Sequence, residues 1–111
     1  MAKFNNSNID MIFENIEEIM DLALDGDSVS QYYLGIYYAT PDCEDYDLKK
    51  AFKWFYKSAE QGLVSAQCNV GVCYANGIGV DQDFSQAIHW FVEAAKQNDE
   101  TSIFNLGYSY F

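Results

Sequence analysis

The chain has 111 residues, half of them hydrophobic and 17% aromatic. That is one domain's length, with enough apolar material for a core and too much for a disordered chain. Seventeen acidic residues stand against six lysines and no arginine, for a net charge of -11, a balance that disfavours nucleic acid and anionic membranes and favours a basic partner protein or simple solubility.

Residues 1–8 hold no apolar run of the kind a secretory signal needs, and no stretch approaches the ~18 apolar residues of a membrane span. The three cysteines, Cys43, Cys68 and Cys73, form no disulfide framework, which predicts a reducing, cytoplasmic setting. Ile9, Ile12, Phe13, Ile16, Ile19, Met20 and Ala23 recur at helical spacing and predict an N-terminal capping helix over 8–26.

Residues 27–62 form a first unit: a first helix carrying Leu34-Gly35 and Tyr38, a turn at Thr40-Pro41-Asp42-Cys43-Glu44, and a second helix carrying Ala51, Trp54, Phe55 and Ala59. The pattern returns without a gap after 36 residues, as Val70-Gly71, Tyr74, Ala87, Trp90, Phe91 and Ala95, so 63–98 is a second unit. Its first helix presents Ala66, Val70 and Tyr74 on one face, Asn76-Gly77-Ile78-Gly79-Val80 breaks it, and Asp83 with Gln86 opens the next helix as a capping box. Residues 99–111 repeat Leu106-Gly107 and Tyr110, which predicts the first helix of a third unit. The glycine of each pair costs ~1 kcal/mol in a helix relative to alanine, which is offset if a neighbouring helix must approach closely there. The expected architecture is all-α, six helices in one domain spanning 1–111, because such pairs cannot bury their faces alone and must stack.

The run Ala51 to Gly62, the Leu-Gly-x-x-Tyr first helices and the Gly77-Ile78-Gly79-Val80 loop resemble the Sel-one-like repeats, relatives of the tetratricopeptide repeats. The resemblance implies an α/α solenoid whose usual work is holding proteins together, with the first helices lining a concave surface. Two segments depart from the pattern. The first unit has Thr40-Pro41-Asp42-Cys43-Glu44 in place of the glycine loop, and the 36-residue shift drops Asn15 and Glu18 onto Ala51 and Trp54.

Chemistry-bearing motifs are sparse. Gly77-x-Gly79 follows a helix and lacks the lysine and hydroxyl of a phosphate loop, so it reads as a turn. Asp81-x-Asp83 lacks the other ligands of a calcium loop and reads as a turn with an N-cap. His89, the single histidine, occupies the position of Lys53 in the first unit and is expected to face solvent. Cys68 and Cys73 lie ~140° apart around one helix and cannot chelate together. No catalytic residue, cofactor or metal is expected. A hydrolase related to cysteine-rich repeat proteins is the alternative from another class, and the cysteine placement fits it poorly.

Two features point to a protein partner. Residues 10–47 contain eleven acids and no lysine, among them Glu14, Glu18 and Asp21, a field that would steer a cationic protein. The first-helix face opposite Ala66, Val70 and Tyr74 would carry Cys68, Asn69 and Val72 in the second unit, Tyr32, Tyr33 and Ile36 in the first, and Phe104, Asn105 and Tyr108 in the third. That face is too aromatic for ordinary solvated surface, although lateral packing of one first helix on the next must absorb part of it. The expected function is non-enzymatic: a small immunity or inhibitor protein that neutralises a basic toxin or enzyme, or alternatively an adaptor or scaffold in a signalling or host-contact pathway. A homodimer through the C-terminal helix is a further possibility.

Overall fold

Capping acids and apolar spacing together divide the chain into helices. The computed structural model describes residues 7–97, with α1 at Ser7–Glu14, α2 at Ile16–Leu24, α3 at Ser28–Ala39, α4 at Leu48–Glu60, α5 at Val64–Asn76 and α6 at Phe84–Ala95. Strands are absent among the described residues. Asp27 starts α3 by accepting from the Ser30 backbone N–H at 2.9 Å. Asp47 starts α4 by accepting from Lys49 and Lys50 at 3.0 and 3.1 Å. Asp83 starts α6 by accepting from Gln86 at 3.1 Å. Each bond satisfies a backbone donor that the first turn leaves without an intrahelical partner.

The N-terminal segment differs from the single helix expected over 8–26. Asn15 leaves helical geometry at φ -117° and ψ 23°, which separates α1 from α2. Its side-chain amide donates to the Met11 carbonyl at 2.9 Å, closing the end of α1 on itself. The Asn15 backbone N–H reaches the same carbonyl at 3.1 Å, and asparagine side chains bond local backbone in this way. The helix expected over 99–111 lies outside the described residues, so the six helices seen arise from this division.

From α2 onward each helix packs chiefly against its neighbours in the chain, α3 on α4, α5 on α6, α4 on α5 and α2 on α3, while α1 packs chiefly on α3. Two clusters carry most of the core. Ile12, Ile19, Ala23 and Leu34 join the N-terminal helices to α3, and Ala51, Phe55, Ala59, Ala66, Val70, Cys73 and Trp90 join α4, α5 and α6. The paired glycines are explained by the rings beside them. A Cβ on Gly35 would lie 2.5 Å from the Phe55 ring, and one on Gly71 would lie 2.5 Å from the Phe91 ring. The helices of each pair approach that closely, and the ring fills the place of the missing methyl.

A glutamine ladder ties each unit to the one before. Gln31 Nε2 donates to the Ala23 carbonyl at 3.1 Å, and Gln67 Nε2 donates to Ala59 at 3.3 Å. Gln61 Nε2 donates to Gly26 at 2.8 Å and to Gln31 Oε1 at 2.9 Å. Gln97 Nε2 repeats this with Gly62 at 3.1 Å and Gln67 at 3.2 Å. These amides add a bond to the Ala23 and Ala59 carbonyls, which also accept from the Gly26 and Gly62 backbone N–H groups, and reach the Gly26 and Gly62 carbonyls just past the ends of α2 and α4.

Candidate functional site

The first-helix face is built from α3 and α5. Tyr32, Tyr33, Ile36, Asn69 and Val72 are all half-buried. The Tyr32 ring leans on Phe55 and on Tyr33, with centroids 5.9 Å apart in each case. Burial pushes the Tyr32 phenol above its ordinary value and neighbouring Tyr33 adds to it, while a hydrogen bond with Ser65 pulls the other way. Tyr33 packs on the N-terminal cluster, Ile36 touches both core clusters, and Val72 packs on Ala75, Ala87 and Phe91. Cys68 was expected on the outward face, but it is buried at 4% exposure. Tyr32 of α3 lies near enough to interact with it electrostatically. Phe104, Asn105 and Tyr108, and the expected C-terminal dimer contact, lie outside the described residues.

Glu14, Glu18 and Asp21 are exposed on α1 and α2. The 36-residue shift sets Glu14, Glu17 and Asp21 against Lys50, Lys53 and Lys57 of α4, so equivalent surface positions change sign from one helix to the next. Lys50 Nζ sits 5.5 Å from the centre of the Tyr38 ring, and Lys57 Nζ sits 5.8 Å from that of Trp54. Among the described residues the single ion pair is Lys96 with Glu93 at 3.0 Å.

His89 is exposed against the edge of Trp90 at 5.3 Å. The cysteines are buried, and burial pushes the Cys73 thiol up to about 11, which keeps it protonated near neutral pH. Among the described residues no three metal-ligating side chains are gathered in one place. No described helix is long and apolar enough to cross a membrane.

The structure also presents a feature that the residue pattern did not single out. A shallow, open pocket of about 290 Å³ lies where the α3–α4 loop passes over the N-terminal helices. Phe13, Ile16 and Tyr37 form its apolar lining, and loop residues 42–45 form the rest. Phe13 meets Tyr37 edge-on at 5.5 Å. The Tyr37 hydroxyl donates to Asp45 at 2.6 Å, and that bond raises the Tyr37 pKa well above the ordinary phenol range. The signal was available in the repeat: Asp42 and Glu44 fall on Ile78 and Val80.

A model of the Sel1 repeat matches residues 28–63 and again 64–99. Among solved structures, a Sel1 repeat protein from Oxalobacter formigenes is similar at 34% identity and a TM-score of 0.79, over 83% of this chain and 27% of its own. A protective antigen present in uropathogenic Escherichia coli strains, displaying an SLR fold, is similar at 36% identity and a TM-score of 0.80, over 86% of this chain and 21% of its own. The chain thus spans about a quarter of the first structure and a fifth of the second. No curated protein matches.

Proposed function

The chain belongs to the Sel1 repeat family, and on that footing we propose that it is a small immunity or inhibitor protein that binds and neutralises one basic protein. Repeats of this family generally mediate protein–protein contact and are typically non-catalytic. The observation that carries the finer reading is a juxtaposition. Glu14, Glu18 and Asp21 are exposed and make no ion pair among the described residues, and Tyr32 and Tyr33 stand half-exposed on α3, against which the N-terminal helices pack. Open carboxylates accelerate encounter with a cationic protein, and half-buried tyrosines hold it by area and hydrogen bonding.

The test is capture from the native cell by the full chain and by Tyr32→Ala with Tyr33→Ala, followed by mass spectrometry. One basic protein retained by the parent chain and lost with the variant supports the proposal. Retention of several acidic or neutral proteins by both forms contradicts it and supports the second reading, an adaptor or scaffold. That reading draws on the solved relatives, of which this chain covers 27% and 21%.

A further inference from the structure

We propose that the cavity under the α3–α4 loop receives one lysine or arginine side chain of the partner protein. The proposal rests on the reading that the partner is basic, and it gives that partner's contact a place and a chemistry.

The argument begins with what closes the equivalent place one unit later. There Ile78 and Val80 pack on the core, and Gly79 lies so close that a Cβ would run into the Leu48 carbonyl and meet Phe52 Cβ at 3.2 Å. A shift of 36 residues carries Leu48 and Phe52 back onto Ile12 and Ile16, so the first loop lies over the matching part of the N-terminal helices. Its Asp42 and Glu44 stand at the positions of the two apolar plugs, and both are exposed. Cys43, at the position of Gly79, is buried there, and where the second unit flanks that position with two apolar side chains the first has two exposed carboxylates beside an open pocket.

The lining selects the occupant. Phe13, Ile16 and Tyr37 offer an apolar wall to a hydrocarbon stem. Asp45 is engaged by the Tyr37 hydroxyl, whereas Asp42 and Glu44 have no hydrogen bond or ion pair among the described residues. They are placed to accept charge-assisted bonds from a cation at the mouth. An apolar side chain would gain nothing from the two exposed carboxylates, and an anion would be repelled. None of this chain's described lysines pairs with these carboxylates, and Lys50 rests over Tyr38.

The experiment titrates the isotope-labelled chain with Nα-acetyl-lysine amide and Nα-acetyl-arginine amide, with Nα-acetyl-norleucine amide as the uncharged control, reading amide chemical shifts. Saturable shifts confined to Phe13, Ile16, Tyr37 and residues 42–46 are expected for the two cations and absent for norleucine. The isosteric pair Asp42→Asn with Glu44→Gln keeps the cavity and should weaken binding about tenfold or more. Asp42→Ile with Glu44→Val supplies the second unit's two apolar side chains and should abolish binding with the melting temperature unchanged or raised. Equal binding of norleucine, shifts spread evenly over all acidic surface, absence of saturable shifts, or an unchanged affinity in the Asn/Gln variant would overturn the proposal. The probes need no partner, so this result and the Tyr32/Tyr33 capture result can fail separately.

Discussion

The two inter-helix loops share a backbone frame and diverge in what fills it. Each is closed by the same bond, from Asp47 N–H to the Tyr38 carbonyl and from Asp83 N–H to the Tyr74 carbonyl, both at 2.8 Å. Each ends in an aspartate that caps the next helix. The second loop fills its space with Ile78 and Val80, while the first presents Asp42 and Glu44 over an open cavity. The frame is therefore carried by a few backbone bonds and caps, which leaves side chains at the tip free to specialise without changing the stack.

The comparison breaks most sharply if the second loop is converted to the first. Ile78→Asp with Val80→Glu should cost about 2–4 kcal/mol, since two apolar contacts are lost and two charges face the core, and urea denaturation reads the loss. Gly79→Ala should cost about 1–3 kcal/mol, because φ is +71° and the Leu48 carbonyl blocks the new methyl. Asp47→Ala and Asp83→Ala should each cost about 1 kcal/mol in the same assay, the equality being the sign of a shared frame. Asp42→Ile with Glu44→Val should raise stability by up to about 1 kcal/mol.

The smallest effect concerns acid. Hydrogen bonds to Ser30 hold the Asp27 carboxyl below its ordinary value. A depressed folded pKa gives stability that is present above the unfolded value and lost as pH falls through the folded one. The second unit has Leu63 in that place, with no side-chain cap. Hydrogen-exchange protection at the start of α3 should therefore decline below about pH 4, the ordinary carboxylate range, while the start of α5 declines no more than the fold as a whole.

The repeat was legible because tryptophan, alanine and glycine are costly to interchange at packed positions. Phe55 over Gly35 and Phe91 over Gly71 are the physical content of that echo. The glutamine ladder was not legible, because glutamine at Gln31 or Gln61 reads as solvated surface until the ends of α2 and α4 are in place. The break at Asn15 was hidden by apolar spacing that runs through it without interruption. On the candidate face, Tyr32, Tyr33 and Ile36 are half-buried, while Cys68 was misassigned because helical periodicity describes one helix and not the neighbour lying alongside it. The first loop was seen to depart from the pattern, but only the packing of Ile78 and Val80 reveals what the departure replaces.

The central claim is that a basic protein binds the tyrosine face beside the acidic N-terminal helices. Calorimetric titration of the captured partner into the parent chain and into Tyr32→Ala with Tyr33→Ala, each verified as folded by circular dichroism, tests it most directly. The account predicts that Kd rises about tenfold or more in the variant. An unchanged Kd in a folded variant would contradict it.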